Sequence, residues 1–261
     1  MKSASLSVSI VIPTCGNTVQ IEGVSQYLVL ELLRSFRTET LVISEIVVVA
    51  DAHTPREVTD ALSTIPNVTL EWFNEPFNFS KKCNMGALRA RGDIILFLND
   101  DMLALGIGWV AEIQHHLADP TIGAVGGLLL TPEGLVQCAG HANTPRPHMY
   151  GVGKDPKDPA LRAQLMTTRE AGGLSGACFA VRRADYMEVG GMCEELPNSY
   201  NDVDLGFKLR ELGKRLMYVP SIRFVHYESI SRDPTVGEEE TALIWRRWGR
   251  YFENDPLALP L

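Results

Sequence analysis

Runs of apolar, mostly β-branched residues alternate with helical patterns along the amino-terminal part of this chain. In the helical patterns, apolar residues recur every three or four positions. Strands that alternate with helices favour a mostly parallel sheet with right-handed crossovers, because each crossover lays a helix on one face of the sheet. The sequence therefore predicts an α/β fold with strands at residues 8–12, 46–50, 68–73 and 94–98 and helices at 19–36, 56–63 and 80–91.

The alternation loosens after residue 101. Residues 144–159 are rich in Pro and Gly, and a loop this long in a compact domain is typically a functional lid or a disordered segment. No repeat or low-complexity linker interrupts the chain. The patterns predict helices at 109–117, 202–212 and 238–252, short strands at 124–130 and 135–139, a segment of no assigned type at 171–183, and a strand pair at 216–219 and 223–225.

Composition and charge exclude several classes of protein. The 261 residues and 45% hydrophobic content suit a soluble protein with a sizeable core. The formal net charge of −8 argues against sequence-independent binding of nucleic acid, because that affinity comes largely from Lys and Arg contacts to phosphate. The cysteines include no CxxC pair, so neither a disulfide framework nor a zinc site is indicated. Since no signal segment or long apolar run is present, we expect a cytoplasmic protein, at most peripheral on the inner face of a membrane.

Two adjacent carboxylates, Asp100 and Asp101, follow directly on the apolar run at residues 94–98. Open α/β sheets bind ligands beyond the carboxyl ends of their strands. Carboxylate oxygens hold Mg²⁺ or Mn²⁺, and such an ion neutralises the oxygens of a diphosphate. The pair therefore indicates a nucleotide-diphosphate site, although turn formation or helix capping would also explain these two residues.

Further polar residues stand at the ends of predicted elements. Asp51 ends the second strand, where it can accept a hydrogen bond from a pyrimidine ring or cap the following turn. Asp202 opens a helix, where it is either a functional acid or an N-cap. His226 follows a strand, and a lone His is more often structural than a ligand. Arg232 follows it closely and can pair with a phosphate.

Together these residues resemble the inverting nucleotide-sugar glycosyltransferases of family 2, which have the GT-A fold, and in particular their bacterial polysaccharide rhamnosyltransferase-like members. The resemblance covers nearly the whole chain, to the tail at residues 245–256, and its motifs stand in the family's order. They are Ser9-Ile10-Val11-Ile12-Pro13-Thr14, Phe77-Asn78-Phe79-Ser80 with Asn84, Leu96-Phe97-Leu98-Asn99-Asp100-Asp101, Ser175-Gly176-Ala177-Cys178, Asn201-Asp202-Val203-Asp204, and residues 226–232.

The resemblance implies a role for each matching residue. Asp51 would face uracil or thymine, and Asp100 would contact the ribose or the donor sugar. Asp101 and His226 would hold the metal, Mn²⁺ or Mg²⁺, and Asp202 would be the general base. The other residues of the donor site would be Pro13, Thr14, Asn84, Ser175, Gly176 and Arg232.

The chain departs from the family at two places. It reads Ala50-Asp51-Ala52-His53 where many relatives have two acids, or an acid and Asn, followed by Gly-Ser. The metal triplet begins with Asn99 instead of Asp, which leaves two acids there.

The resemblance also implies a reaction and its partners. The chain would move a sugar from a UDP- or dTDP-sugar to a hydroxyl of a glycan, lipid-linked or other small-molecule acceptor in bacterial surface polysaccharide assembly, with inversion at the anomeric carbon. We expect a single GT-A domain over residues 1–261, with a nucleotide-binding half at 1–101, an acceptor and catalytic half at 102–232, and a carboxyl-terminal helix and tail at 233–261. The loop at 144–159 would lie on the acceptor side and be mobile.

A dinucleotide-binding oxidoreductase is disfavoured because the first strand ends in Pro13-Thr14, without a GxGxxG turn. Three other classes remain as alternatives, of which a structural scaffold ranks last. A nucleotidyltransferase can share the nucleotide-binding sheet, but would be expected to have a Gly-rich basic loop after the first strand. A noncatalytic module that binds a nucleotide or a glycan stays open, because a fold does not guarantee activity. The presence of Asp101, Asp202 and His226 together argues against that module.

Overall fold

A computed structural model describes residues 5–21, 23–36, 39, 43–227 and 236–257 of the chain. Its strands are β1 (Val8–Thr14), β2 (Thr18–Ile21), β3 (Val24–Tyr27), β4 (Ile43–Asp51), β5 (Val68–Phe73), β6 (Ile94–Leu98), β7 (Met102–Ala104), β8 (Ile122–Leu130), β9 (Val136–Cys138), β10 (His141–Ala142), β11 (His148–Met149), β12 (Arg169–Glu170), β13 (Cys178–Arg182) and β14 (Arg215–His226). Its helices are α1 (Leu28–Ser35), α2 (Arg56–Ser63), α3 (Phe79–Arg89), α4 (Trp109–Leu117), α5 (Arg162–Leu165), α6 (Arg183–Glu188), α7 (Asn201–Glu211) and α8 (Glu238–Phe252).

One large mixed sheet forms the centre of the fold, with strand order β12-β14-β8-β13-β6-β1-β4-β5, and with β7 and β9 paired at its side. The strands β6, β1, β4 and β5 are parallel to one another. The pair β8 and β14 is also parallel. The two parallel groups meet at β13, which is antiparallel to both β6 and β8. The predicted α/β fold with a mostly parallel sheet is confirmed.

The predicted helix at residues 19–36 is wrong over its first half. The strands β2 and β3 form a hairpin there, and α1 begins only at Leu28. Gly23 adopts φ of 80° beside the turn, a conformation that glycine reaches without strain. The β-branched residues of β2 favour extended backbone, which overrides the helical spacing of the apolar positions.

The predicted strand pair at 216–219 and 223–225 is a single strand, β14. Its pairing with β8 shifts register between Val219 and Arg223. Pro220 lies inside this irregular stretch and has no backbone N–H to donate, so the ladder is interrupted while the strand continues. Part of the predicted loop at 144–159 forms β11, which pairs with β10. Its mobility stays a prediction, as does the division of the chain at residues 101 and 232.

The core lies on both faces of the sheet, because successive side chains of a strand point to opposite sides. Ile10 and Ile12 pack with α1 on one face, whereas Val11 packs with α3 on the other. A Cβ built on Gly86 of α3 would lie 2.3 Å from Val11 Cγ1, so only glycine allows α3 to lie this close to the sheet. A third apolar cluster joins α7 to α8.

The topology places several strand ends at one edge of the sheet. Because β1, β4, β6 and β14 run in the same direction, their carboxyl ends meet there. His226, the last residue of β14, pairs with Met102 of β7, and the next backbone N–H, of Tyr227, donates to the Asp101 carbonyl at 3.0 Å. None of the helices in the described part of the chain has the length and apolar composition that a membrane span needs.

Candidate active site

A cavity of about 240 Å³ opens at this edge of the sheet. Its lining comes from the ends of β1, β4, β6 and β14, from the turn before β13, from the starts of α3 and α7, and from β9, β10 and β11. The predicted site residues that line it are Pro13, Thr14, Asp51, Asp100, Asp101, Ser175, Gly176, Asp202 and His226.

The two other residues predicted for the donor site are Asn84 and Arg232. Asn84 does not line the cavity. Its amide oxygen accepts hydrogen bonds from the Tyr186 hydroxyl at 2.6 Å and from the Met192 N–H at 2.9 Å, and its amide nitrogen donates to the Met192 carbonyl at 3.0 Å. These contacts join α3 to α6 and to the segment that follows α6. Arg232 lies outside the described residues.

Asp100 lines the cavity, is largely buried, and is hydrogen-bonded to Thr14. The Thr14 hydroxyl donates to Asp100 Oδ2 at 2.6 Å and accepts a hydrogen bond from the Gly16 N–H at 3.0 Å. Burial, and then the charge of Asp101, raise the pKa of Asp100 to about 7. The two acids therefore crowd negative charge at one point, which favours binding of a cation there.

The sequence analysis missed Lys82, whose ammonium group lies between two of the predicted donor residues. Lys82 Nζ lies 3.0 Å from Asp51 Oδ2 and donates to the Thr14 carbonyl at 3.0 Å. Its side chain is only 3% exposed. A buried ammonium group is costly unless it is paired and hydrogen-bonded, and here both conditions are met.

A signal for Lys82 was present in the sequence. Residues four apart share one face of a helix, and Lys82 precedes Gly86 by four positions. Gly86 is the residue at which α3 touches the sheet. The neighbouring Lys81 points away and pairs with Glu75 at the surface, 2.5 Å from Nζ to Oε2.

Asp101 and His226 have the chemistry of two metal ligands. His226 Nδ1 contacts the amide oxygen of Gln137. Because that oxygen can only accept, Nδ1 carries the ring proton and Nε2 keeps its lone pair. The Asn99 amide nitrogen, which only donates, lies 3.4 Å from Nε2 and agrees with this tautomer.

The same tautomer leaves two acceptors facing each other. His226 Nε2 lies 3.0 Å from Asp101 Oδ1, and that buried oxygen receives no hydrogen bond from any described residue. Two acceptors at this distance repel unless a cation or a proton joins them. No group of three or more His, Cys, Asp or Glu in the described ranges is arranged around one metal position. The residues therefore fit a divalent ion that takes two ligands from the protein and others from a diphosphate and water.

Asp202 also lines the cavity and lies in the first turn of α7. The Gly176 N–H donates to its Oδ2 and the Val203 N–H to its Oδ1, both at 2.8 Å. A Cβ on Gly176 would lie 3.2 Å from Asp202 Cβ, so glycine allows this close approach. The N-cap of α7 is Tyr200, so Asp202 lies inside the first turn and is not the capping residue.

Comparison with known proteins agrees with these motifs. Residues 9–190 match the model of glycosyl transferase family 2. The chain is 34% identical over 172 residues to the O-antigen biosynthesis protein RfbC of Myxococcus xanthus. The aligned region covers 63% of this chain and 13% of that protein. The chain is also 34% identical over 126 residues to the N-acetylglucosaminyl-diphospho-decaprenol L-rhamnosyltransferase of Mycobacterium tuberculosis H37Rv, over 44% of this chain and 41% of that one. The chain thus spans less than half of either relative.

Solved structures share the fold at low sequence identity. The structure of GalNAc-T7 with UDP, GalNAc and Mn²⁺ superposes with a TM-score of 0.73 at 18% identity, over 95% of this chain and 50% of that one. The mannosyltransferase PcManGT from Pyrobaculum calidifontis, in complex with GDP-Man and Mn²⁺, gives 0.59 at 21% identity, over 94% and 61%. Since the family model covers most of its length and the structural likeness covers nearly all of it, the chain belongs to glycosyl transferase family 2 and has the GT-A fold.

Proposed function

We propose that the chain transfers a sugar from a nucleoside-diphosphate donor to a hydroxyl group, with inversion at the anomeric carbon, as a rhamnosyltransferase-like enzyme of bacterial surface polysaccharide assembly. The observation that supports this most directly is that Asp51, Asp100 and Asp101 line the same cavity as Asp202. One cavity thus offers an acidic edge for a metal-bound nucleotide and a separate carboxylate for the attacking hydroxyl.

Asp202 would accept the proton of that hydroxyl. Two backbone N–H groups fix the orientation of its carboxylate, and each oxygen keeps a lone pair for a further contact. Displacement from the side opposite the departing diphosphate inverts the anomeric carbon and needs no covalent glycosyl-enzyme. General-base catalysis of this kind contributes about 10²–10⁴-fold to a rate.

Asp101 and His226 would hold the divalent ion, and Asp100 would contact the ribose or the donor sugar. When bound, the ion supplies positive charge where the leaving diphosphate accumulates negative charge. The chain's own contribution is to hold Asp101 Oδ1 and His226 Nε2 side by side at the ends of two strands. Mn²⁺ should serve at least as well as Mg²⁺, because imidazole suits Mn²⁺ better. The two solved structures named above contain Mn²⁺, which supports this assignment.

Asp51 and Lys82 would read the base of the donor. Uracil and thymine present an N–H donor beside carbonyl acceptors, which match a carboxylate beside an ammonium group. We therefore propose a UDP- or dTDP-sugar, with Pro13, Thr14, Ser175 and Gly176 as further donor contacts.

For the acceptor we propose a glycan or a lipid-linked sugar. The name of the Mycobacterium relative describes a diphospho-decaprenol compound. Such an acceptor would require the chain to work peripherally at a membrane surface.

A screen of UDP-, dTDP- and GDP-sugars tests the proposal. Release of nucleoside diphosphate is measured with Mn²⁺, with Mg²⁺ and with EDTA, first without an acceptor and then with lipid-linked sugars. We expect slow hydrolysis of a UDP- or dTDP-sugar that EDTA abolishes and that a suitable acceptor accelerates. Exclusive use of GDP-sugars would contradict the proposal that the donor carries uracil or thymine.

Two other results would replace the proposal. Release of pyrophosphate from a nucleoside triphosphate and a sugar phosphate would indicate a nucleotidyltransferase. Metal-dependent nucleotide binding without hydrolysis or transfer of any sugar would indicate a noncatalytic binding module.

A further inference from the structure

Two histidines line the cavity beside Asp202, and the reaction described so far does not use them. His141 and His148 lie on the paired strands β10 and β11. His141 is 7% exposed. A buried imidazole that faces a cavity has given up its contacts with water, so its ring nitrogens need other partners.

The position of His141 relative to Asp202 leaves room for one oxygen atom. His141 Nε2 lies 4.0 Å from Asp202 Oδ2, which is too far for a direct hydrogen bond. An oxygen placed between them can lie about 2.8 Å from each atom, the usual length of such a bond. The other ring nitrogen, Nδ1, is buried and has no hydrogen-bond partner among the described residues.

The protonation of His141 follows from its surroundings. Burial lowers the pKa of His141, while the charge of Asp202 opposes that shift and His148 adds to it. Burial therefore favours the neutral ring, which has a single N–H. The nearby carboxylate favours the tautomer in which Nε2 carries the proton, so this N–H is directed toward the gap beside Asp202.

Gly173 determines where the ring of His141 lies. The His141 backbone N–H donates to the Gly173 carbonyl at 2.8 Å. A Cβ built on Gly173 would lie 3.2 Å from His141 Cβ and 3.3 Å from Nδ1. Any side chain at position 173 would therefore displace the imidazole by a few tenths of an ångström.

We propose that His141 is a further catalytic residue, which binds the attacking hydroxyl of the acceptor together with Asp202. The hydroxyl oxygen lies in the gap, accepts the Nε2–H hydrogen bond and gives its proton to Asp202 Oδ2. As this oxygen forms its bond to the anomeric carbon, the bond from that carbon to the diphosphate breaks and the electron pair leaves with the diphosphate. The Nε2–H group stabilises the negative charge that develops on the attacking oxygen. This inference rests on the proposed function.

His148 indicates the class of acceptor. Its Nδ1 lies 2.8 Å from the Arg146 carbonyl, so Nδ1 carries the proton and Nε2 keeps a lone pair. That Nε2 is buried without a hydrogen-bond partner among the described residues. It would accept a hydrogen bond from a second hydroxyl, so the acceptor would be a sugar with a free hydroxyl near the reacting one.

The test compares three variants with the wild-type chain. His141→Phe keeps an aromatic ring but removes the N–H, and should lower kcat/KM for the acceptor by about 10²-fold, as loss of one such donor does. His141→Gln can offer an amide N–H in place of Nε2–H and should recover at least about tenfold of that loss. Gly173→Ala keeps the imidazole but displaces it, and should also slow transfer. Calorimetry should show unchanged affinity for UDP or dTDP with Mn²⁺ in all three, and the exposed His115→Gln serves as the control.

Several results would overturn the inference. One is transfer by His141→Phe at the wild-type rate. Another is an equal loss in His141→Gln and His141→Phe, or a parallel loss of nucleotide affinity, because these indicate a packing role. If His141→Phe does not fold, transfer by Gly173→Ala at the wild-type rate would contradict the inference, because that variant keeps the imidazole but displaces it. A wild-type chain that binds nucleotide but transfers no sugar would remove the proposed function and this inference together.

Discussion

Asp202 and Asp204 stand two positions apart in α7, yet their carboxylates have different surroundings. Asp202 lines the cavity, and its side chain is 18% exposed. Asp204 is fully buried, accepts a hydrogen bond from Trp248 Nε1 at 2.8 Å, and pairs with Arg247 at 3.1 Å and Lys208 at 3.2 Å. Only Asp202 can therefore meet an acceptor, although the sequence alone offers both acids at the start of the same helix.

Asp202→Asn should lower turnover by about 10²–10⁴-fold, because the variant loses the proton acceptor. The amide oxygen can still accept one of the two backbone hydrogen bonds, so nucleotide affinity and the free energy of unfolding should change little. Steady-state kinetics, calorimetry and urea denaturation measure the three quantities. Transfer at nearly the wild-type rate would refute the assignment, and loss of donor binding would place Asp202 in the nucleotide site instead.

Lys82→Met should weaken binding of UDP or dTDP by at least about tenfold, because hydrogen bonds to charged groups contribute about 1.5–3 kcal/mol. The change also leaves Asp51 without its buried partner, 3.0 Å away. Lys81→Met is the matched control, since that neighbouring ammonium pairs with Glu75 outside the cavity. Equal affinities in the two variants, measured by calorimetry with Mn²⁺, would exclude Lys82 from the donor site.

At the scale of elements, α7 depends on α8 for its position. Phe207 of α7 stacks on Trp248 and Tyr251 of α8, with ring centroids 5.3 and 5.0 Å apart. The buried Asp204 carboxylate joins the same two helices through Trp248. Because α7 also presents Asp202, the carboxyl-terminal helix holds the candidate base in place without touching the cavity.

Asp204→Ala should destabilise the fold by about 3 kcal/mol, because removing one partner of a buried ion pair leaves its other partners unpaired. Urea denaturation measures this change, and Asp202→Ala provides the comparison at the same helix. We expect the activity of folded Asp204→Ala to fall much less than that of Asp202→Asn. Unchanged stability with a complete loss of transfer would make Asp204 the base.

At the scale of the whole molecule, ligands that complete the cavity should stabilise the fold. A ligand at a hundred times its Kd adds about 2.7 kcal/mol to the stability of the form that binds it. Mn²⁺ and UDP or dTDP together should therefore raise Tm more than the sum of their separate effects, because the diphosphate would supply ligands to the ion and the ion would offset the charge of the diphosphate. Asp101→Ala or EDTA should remove the joint effect, whereas the exposed Asp155→Ala should keep it. An equal rise in Tm with and without EDTA would contradict the metal site.

Much of the fold and part of the site can be read from the sequence. The strands β1, β4, β5 and β6 and the acids at their ends follow from local apolar patterns, since the period of a pattern reports the backbone conformation of that same segment. The β2–β3 hairpin was missed because its apolar spacing also matches a helix. Asn84 was assigned to the donor site, but its amide binds Tyr186 and Met192, about a hundred positions later in the chain.

The sequence by itself determined the α/β architecture, the family and the acids at the strand ends, because these depend on residues that are close together in the chain. Only the tertiary structure decided which of two neighbouring lysines turns inward, which of two acids in α7 faces the cavity, and that His141 lies 4.0 Å from Asp202. Each of these depends on packing between segments far apart in the sequence. Asp101 meets His226 only because β14 returns beside β7 after more than a hundred residues.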